Sequence, residues 1–332
     1  LLKLSEAGTS PFASGPLAAQ LTDDLKRRGS RYTLNDIISF NVRISSPIAV
    51  SIGSFTLIGP PPPCSSVAVM AALRAVFDHE RRLGQRLSLD NRLIILDRLF
   101  SRITSSLAQS IRVPRRFLSD AAGPLSRPFG TTEEMPFTEQ ADEPPGETTH
   151  LVTWDRNGMI VSMTLTLGTH FGTGDYSPLG FFYNNELANI RHRYFTYPKD
   201  YPQDAGPVST KSPFIILNGS RPILAIGGAG AGRIVSNLFL IIDSVLHHEK
   251  SLPEAVQAPR FHVQGKRVLL VEWSPQKPPL SSRGPWHRPG TKPAGADYFG
   301  LVSAVGAASG TLTAVGDYRR DGAAGALDIA PH

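Results

Sequence analysis

Two Asn-Gly turns, each set between strand-like stretches, constrain the fold of this chain more than any other sequence feature. The first lies in "THLVTWDRNGMIVSMTLTL", where Asn157 and Gly158 separate two runs rich in β-branched and large apolar residues. Asn-Gly is the strongest short hairpin signal, because both central residues of the favoured turn need positive φ. The second, in "PFIILNGSRPILAIG", repeats the order strand, turn, strand. Both stretches therefore predict antiparallel sheet.

Helical patterns lie on both sides of these hairpins. Leu17, Leu21 and Leu25 recur on one face of a helix that Gly29 is suited to stop. Ser251 is a typical N-cap residue for a later helix. Helices are predicted within 14–29, 65–82, 91–111, 234–248 and 251–263.

The remaining patterns complete an α+β prediction. Alternation predicts a hairpin at 48–59 and another at 299–317, and a single strand at 267–273. Residues 34–44 predict a short helix running into a strand, and the proline- and glycine-rich stretch 278–296 predicts a loop. Helices, then hairpins, then helices indicate two antiparallel sheets faced by helices rather than βαβ crossovers.

A sharp change of composition divides the chain. Residues 121–147, "AAGPLSRPFGTTEEMPFTEQADEPPGE", are rich in proline and acidic residues and show no periodicity, which predicts a mobile surface segment. This segment ends directly before Thr148 and Thr149, at the start of the first predicted hairpin.

Charge and apolar content exclude some functions. The chain has 34 basic and 28 acidic residues and a formal charge of +6, but the basic residues are scattered. The densest basic clusters, at 26–28 and 191–193, lack the interleaved aromatics of a nucleic-acid surface, so no nucleic-acid partner is predicted. The longest apolar run is interrupted by Asp243 and is too short to cross a bilayer. Because the chain starts at Leu1, we expect a fragment or processed product that has lost any signal or anchor segment.

The cysteine and histidine content predicts neither a metal site nor a cofactor. Cys64 is the single cysteine, which excludes an internal disulfide and a cysteine-based metal site. His247 and His248 end a predicted helix, where a cation is favoured by the helix dipole. Asn218 lies in "NGS", which fits a glycosylation sequon and matters only if the protein enters the secretory pathway.

Several motifs, in order, carry a family resemblance. They are "YTLNDIISFNVRISSPIAVSIGSFTLIGPPPPCSS" at 32–66, "GETTHLVTWDRNGMIVSMTLTL" at 146–167, "FGTGDYSPLGFFYNNEL" at 171–187, "GPVSTKSPFIIL" at 206–217, "GGAGAGRIVSN" at 227–237 and "GDYRRDGAAGAL" at 316–327. Together they resemble the γ-glutamyltransferase (glutathione hydrolase) family of N-terminal-nucleophile hydrolases. The resemblance implies a four-layer αββα sandwich, in which 1–147 is the C-terminal part of the large subunit and 148–332 is the small subunit. The N-terminal half of the large subunit, with its arginine for the substrate's α-carboxylate, is absent from this chain.

The resemblance implies that Thr148 becomes the nucleophile when the bond after Glu147 is cut. An internal threonine has no base beside its hydroxyl, whereas a free α-amino group has a reference pKa of about 7.7–8.0, which suits a general base at working pH. The alternative is a Thr-Thr pair that merely opens a strand, where β-branched residues are common. Thr166 matches the family's second threonine, which supports the nucleophile; alternatively it is a solvent-facing strand residue.

The resemblance also implies an oxyanion hole and a substrate site. Gly230 and Ala231 match the two residues whose backbone N–H groups form the hole before a helix N-terminus. A glycine-rich turn before a helix is by itself weak evidence for any function. Glu186 matches the ligand of the substrate's amino group, and Ser209 and Thr210 match the pair that donates hydrogen bonds to its α-carboxylate.

Three residues depart from the family's pattern. Gly168 stands where the family has asparagine, and Asn189 stands where it has an aspartate that contacts the substrate's ammonium group. Such charge-assisted contacts contribute about 1.5–3 kcal/mol. Ala231 replaces the second glycine of the oxyanion hole, at a cost of about 1–2 kcal/mol if the position needs positive φ.

Two functional predictions follow from the resemblance. The first is a γ-glutamyl hydrolase or transferase that acts on a donor such as glutathione, with water or an amino acid or dipeptide as acceptor. It needs no cofactor, its two fragments associate as a heterodimer, and it works at the cell surface or outside the cell. The second is a paralogue that keeps the fold without turnover. A basic module for acidic partners has only the net charge in its favour.

Overall fold

The computed structural model describes residues 12, 15–109, 147–187, 207–263, 268–273, 288–293 and 297–327. Most of the predicted mobile segment 121–147 and Asn189 therefore lie outside the described residues. The helices are α1 Pro16–Arg27, α2 Leu34–Ile38, α3 Ser66–Leu83, α4 Leu89–Gln109, α5 Arg233–Leu246 and α6 Leu252–Gln257. The strands are β1 Ile48–Ile52, β2 Phe55–Gly59, β3 Glu147–Trp154, β4 Ile160–Gly168, β5 Phe214–Asn218, β6 Arg221–Ala229, β7 Phe261–Val263, β8 Val268–Trp273, β9 Arg288–Pro293, β10 Leu301–Ala308 and β11 Thr311–Gly316.

The largest sheet has six strands in the order β1-β2-β5-β6-β10-β11, and all of its pairs are antiparallel. This confirms the predicted hairpins at 48–59, 213–227 and 299–317. Because β2 pairs with β5, strands from both sides of residue 147 share this sheet.

The hydrophobic core lies between one face of this sheet and helices α3, α4 and α5. Leu57 and Ile216 from the sheet, Leu73 from α3, Leu96 from α4 and Phe239 from α5 are all fully buried in one cluster. Burying each such side chain contributes about 1.5–3 kcal/mol, so this layer supplies much of the folding free energy. The helices predicted at 14–29, 65–82, 91–111 and 234–248 are confirmed. The helix predicted at 251–263 is confirmed only over Leu252–Gln257, because Phe261–Val263 forms strand β7.

The β3–β4 hairpin packs on the other face of the sheet, against β6 and β10. Its side chains alternate, as a strand requires. Val161, Met163 and Leu165 point outward and are 40–47% exposed. The alternate row carries Ser162, whose hydroxyl donates to the Ile226 carbonyl at 3.3 Å. On β4 this row carries the hydroxyl groups of Ser162, Thr164 and Thr166 on the side that faces the large sheet.

A third sheet corrects the predicted loop at 278–296. Strand β9 lies inside that stretch and pairs in parallel with β8, which itself pairs antiparallel with β7. Pro289 and Pro293 are tolerated because β9 is an edge strand, where an absent N–H group need not break a ladder. The prediction of purely antiparallel sheets is wrong at this pair.

The predicted helix within 34–44 is confirmed, but the strand that was to follow it is wrong. Thr33 accepts a hydrogen bond from the Asp36 backbone and Asp36 accepts one in return, a capping box that starts α2. Residues 39–47 are described and contain no strand. Val42 and Ile44 are 79% and 93% exposed, so no neighbouring strand covers them.

Four buried charged side chains fix the C-terminal segment to the third sheet. Arg260 pairs with Asp317 at 2.9 Å, and Arg319 pairs with Asp317 at 3.0 Å and with Glu272 at 2.6 Å. Burial lowers the pKa of Arg260 to about 10, which leaves it charged at neutral pH. Two cations therefore balance two anions in the protein interior.

Candidate active site

The hydroxyl groups of Thr148 and Thr166 are paired. The two residues lie opposite each other in the β3–β4 ladder, and Thr148 Oγ1 donates to Thr166 Oγ1 at 3.0 Å. Thr166 Oγ1 also accepts a hydrogen bond from the Gly168 backbone N–H at 3.0 Å. Both side chains are half-buried. Thr166 is thus not a solvent-facing strand residue.

An irregularity of the ladder lies at the bond before Thr148. Glu147 pairs with Gly168 but Thr148 pairs with Thr166, so the register shifts between these two residues and Leu167 is the extra residue of a bulge. Bulges bend a strand locally and are frequent beside active sites, where they redirect a side chain. The backbone at the predicted cleavage point is therefore not a regular ladder.

The structure gives a physical reason for glycine at position 168. Gly168 has φ +92°, and a Cβ at this position would overlap Oδ1 of Asn185. That amide oxygen accepts from the Thr169 backbone N–H at 2.9 Å, while the Asn185 N–H donates to the Leu167 carbonyl at 2.9 Å. In this chain Asn185 occupies the space into which a side chain at 168 would extend.

Asn185 in turn places Glu186 beside the end of β4. The Glu186 carboxylate forms an ion pair with Lys211, with 3.6 Å between Oε2 and Nζ. The two side chains are only 18% and 29% exposed. The sequence analysis predicted a substrate ammonium group as the partner of Glu186 and did not predict the ion pair with Lys211. The position of Lys211, two residues after the predicted site residue Ser209, could have indicated that it lies near the site.

Ser209 is held by the proline-rich loop. Its backbone N–H donates to the Pro63 carbonyl at 3.0 Å, and its carbonyl accepts from the Ser65 N–H at 2.9 Å. Cys64 lies between these contacts, in an isolated bridge with Ser209, and burial raises the pKa of its thiol. Thr210 follows, and its carbonyl accepts from the Ser212 hydroxyl at 3.0 Å. Of the predicted carboxylate-binding pair, Ser209 is thus fixed by backbone hydrogen bonds to a loop from the first part of the chain.

Gly230 and Ala231 form a tight turn between β6 and α5. Gly230 has φ +126° and Ala231 has φ +53°. A Cβ at Gly230 would lie 2.9 Å from the Gly300 Cα, so glycine permits the close approach of two backbones. Ala231 adopts a left-handed conformation that costs a non-glycine residue about 1–2 kcal/mol. The 14-residue helix α5 begins two residues later, which directs its positive end toward this turn.

His150 is a buried residue of the site to which sequence reasoning gave no role. Its side chain is 5% exposed, and its Nδ1 and Nε2 atoms contact the hydroxyls of Thr164 at 2.8 Å and Ser162 at 3.3 Å. A Cβ on Gly227 would overlap its ring. Burial lowers the pKa of His150 to about 4, so it is neutral at pH 7. The signal was its spacing of two from Thr148, which puts both on one face of β3.

The structure brings the predicted site residues together in three groups. Thr148, Thr166 and Gly168 are in direct contact. Glu186 is joined to the segment that carries Ser209 and Thr210 through Lys211. Gly230 and Ala231 follow β6, the strand that underlies the hairpin. Within the described ranges, no group of three or more His, Cys, Asp or Glu side chains could hold a metal ion.

The turn that begins at Asn218 is exposed, and Asn218 pairs with Arg221 across it in the β5–β6 ladder. Of the helices that the structure describes, none has both the length and the apolar content needed to cross a bilayer.

Comparison with known proteins identifies the ancestry of the chain. Residues 1–327 match the family model described as Gamma-glutamyltranspeptidase. The glutathione hydrolase proenzyme of Bacillus subtilis strain 168 is 24% identical over 354 aligned positions, which cover 97% of this chain and 60% of that protein. The glutathione hydrolase 5 proenzyme of Homo sapiens is 27% identical over 363 positions, which cover 96% and 60%. The chain thus spans about 60% of the length of these relatives.

A solved structure shares the fold. Cephalosporin acylase from Bacillus halodurans superposes with a TM-score of 0.73 and 16% sequence identity, over 99% of this chain and 62% of that chain. This likeness, together with the helix, sheet and hairpin layers described above, shows the predicted αββα fold.

Proposed function

Because the chain belongs to the gamma-glutamyltranspeptidase family, we propose that it is a γ-glutamyl hydrolase or transferase that matures by cutting its own bond between Glu147 and Thr148. Its substrates are glutathione or related γ-glutamyl amides. The observation that carries this proposal is the hydroxyl pair of Thr148 and Thr166, which lies directly beside the register shift.

Maturation transfers an acyl group within the backbone. Thr148 Oγ1 attacks the Glu147 carbonyl carbon, the bond from that carbon to the Thr148 nitrogen breaks, and the nitrogen takes up the hydroxyl proton. The product is an ester between Glu147 and the Thr148 side chain. Water hydrolyses this ester, which leaves a carboxylate on Glu147 and a free hydroxyl beside a free α-amino group. Thr166 Oγ1 accepts from the attacking hydroxyl and orients it.

Turnover repeats the same chemistry on a bound donor. The α-amino group of Thr148 takes the hydroxyl proton as Oγ1 attacks the donor's amide carbonyl. The backbone N–H groups of Gly230 and Ala231 stabilise the oxyanion, with help from the positive end of α5. The proton passes to the leaving amine, which departs and leaves an acyl-threonine ester. Water or an acceptor amine then attacks this ester and frees the enzyme.

Substrate contacts follow from the same assignment. Ser209 and Thr210 donate hydrogen bonds to the donor's α-carboxylate, and Glu186 and Asn189 match the sequence positions with which the family binds the α-amino group. Gly168 offers no side chain to the donor, and the Asn185 side chain fills the space that a side chain at position 168 would take.

Cleavage does not separate the fragments in this account. The bonds between β2 and β5 join strands from before and after residue 147, and helices α3 and α4 share one core with α5. We therefore infer that 1–147 and 148–332 stay together as a heterodimer with one αββα domain. Family membership also supports a place at the cell surface or outside the cell.

The proposal is tested with γ-glutamyl-p-nitroanilide. The cut chain should release p-nitroaniline, with an acyl-enzyme on Thr148 that mass spectrometry detects after rapid acid quenching. The Thr148→Ala variant should release none. Properly cut protein that leaves the anilide intact, and forms no acyl-enzyme, would contradict the proposal.

A specific observation favours a second candidate, a paralogue that keeps the fold without turnover. The positive φ of Ala231 strains the turn that is to form the oxyanion hole. This candidate predicts that the correctly cut wild-type chain releases no p-nitroaniline, whereas the Ala231→Gly variant, in which the strain is relieved, does.

A further inference from the structure

Lys211 places a basic side chain in the region where the proposed function puts the donor's ammonium group. Its Nζ lies 3.6 Å from Glu186 Oε2, and both side chains are largely covered by the protein. An ion pair that is partly withdrawn from water interacts more strongly than one on an open surface, where screening by solvent and salt leaves little interaction energy. Lys211 therefore neutralises the carboxylate that is to receive the substrate's amino group.

The position of Lys211 is set by the backbone and not by its flexible side chain alone. The Lys211 N–H donates to Ser209 Oγ at 3.3 Å, and Ser209 is fixed by its hydrogen bonds with Pro63 and Ser65. On the other side, Asn185 is tied to the end of β4 by its bonds with Leu167 and Thr169. The ion pair thus bridges two anchored segments, both of which belong to the proposed substrate site.

The charges of this site favour an anion over a zwitterion. Lys211 offsets the negative charge of Glu186, so an entering ammonium group meets a weaker attraction and a like charge close by. An entering carboxylate finds the Lys211 ammonium together with the hydroxyls of Ser209 and Thr210. Charge-assisted hydrogen bonds to a carboxylate are about twice as strong as neutral ones.

We propose that Lys211 is a specificity-determining residue, which directs this site toward acyl donors that have a carboxylate where a γ-glutamyl group has its α-carboxylate, but no free α-ammonium group. The chemical class is the monoamide of a five-carbon dicarboxylic acid, such as a glutaryl amide, or a γ-glutamyl amide whose amino group is acylated. This inference rests on the proposed function, because the donor's orientation comes from it.

The test compares two anilides that differ only at the α-amino group. For the cut chain, kcat/KM for glutaryl-p-nitroanilide should exceed that for γ-glutamyl-p-nitroanilide by about tenfold or more, which is the effect of one charge-assisted hydrogen bond. Lys211→Met should reduce this ratio by about tenfold or more, because the positive charge that repels the donor's ammonium group is then removed. Lys211→Arg keeps the charge and should keep the preference.

Lys250→Met is the matched control, since Lys250 is exposed at the end of α5, outside the proposed site. It removes the same charge from the chain and should leave the ratio unchanged. A wild-type preference for the γ-glutamyl anilide, or a ratio that Lys211→Met leaves within about threefold of wild type, would overturn the inference.

A binding measurement separates this inference from the proposed function. Calorimetry of glutarate and of L-glutamate requires no turnover. If glutarate binds about tenfold more tightly than L-glutamate, and Lys211→Met abolishes this difference, the inference is supported. This holds even if neither anilide is hydrolysed, in which case only the proposed function fails. Tighter binding of L-glutamate, or no binding of either acid, overturns the inference.

Discussion

The side-chain hydroxyl of Thr148 lies 3.0 Å from that of Thr166, across the first pair of the β3–β4 ladder after its register shift. This contact joins the residue that is to be cut to a neighbour that is itself held by the Gly168 N–H. In the proposed mechanism this contact orients the attacking oxygen before any substrate binds.

Removing the Thr166 hydroxyl should slow maturation. Thr166→Val keeps the shape and the β-branch but loses the acceptor for Thr148, and a neutral hydrogen bond of about 1–1.5 kcal/mol corresponds to about a tenfold lower cleavage rate. The rate is followed by denaturing gels of freshly refolded protein. Thr153→Val, on the outward face of β3, is the control and should cleave at the wild-type rate. Equal rates for both variants would remove Thr166 from the mechanism.

Relief of backbone strain at Ala231 should stabilise the chain. Ala231 has φ +53°, so Ala231→Gly should raise the free energy of unfolding by about 0.5–1 kcal/mol, after the greater entropy of glycine in the unfolded chain is subtracted. Urea unfolding of the uncut Thr148→Ala background measures this difference in one chain. Ala229→Gly, in the buried strand β6, should lower stability instead. A loss of stability in Ala231→Gly would show that the turn carries no strain.

The depressed pKa of His150 predicts a pH dependence of stability. Burial lowers its pKa to about 4, whereas an unfolded histidine has a pKa of about 6.5. Between these values the unfolded state binds the proton and the folded state does not, so stability falls as pH drops from 6.5 toward 4. Each pH unit costs up to about 1.4 kcal/mol. His150→Gln should reduce this slope by about one proton equivalent; an unchanged slope would contradict the burial of a neutral ring.

The buried ion network should be intolerant of losing one member. Arg319→Met leaves Asp317 and Glu272 with one cation, Arg260, and breaking a buried pair costs about 3–5 kcal/mol. Arg320→Met is the adjacent control, since Arg320 donates to the Asp297 carbonyl at 3.2 Å and is more exposed than Arg319. Thermal unfolding in the Thr148→Ala background should give Arg319→Met a clearly lower melting temperature than Arg320→Met. Similar melting temperatures would show that the network contributes little.

Local sequence rules predicted most elements of the fold because each rule had a local cause. The Asn157–Gly158 turn and the Ser251 capping box need only neighbouring residues to form, and both are present. The strand β9 was missed because its pairing partner, β8, lies far along the chain and its prolines argue locally against a strand. The strand expected at the end of 34–44 failed for the converse reason, since an extended apolar stretch needs a partner strand and none of the described strands pairs with this one.

The site was predictable in its residue types but not in its pairings. Spacing along β3 and β4 places Thr148 opposite Thr166 once the hairpin is known. The ion pair of Glu186 with Lys211 depends on two loops that meet only in the folded chain. The reason for glycine at 168 likewise lies in a side chain 17 positions away, that of Asn185.

Intact-mass spectrometry of the purified chain tests the central claim most directly. The account predicts two masses, those of 1–147 and 148–332, with Thr148 as the first residue of the second fragment, and a single uncut mass for Thr148→Ala. A single uncut mass for the wild-type chain after prolonged incubation, or a cut at any other bond, would contradict it.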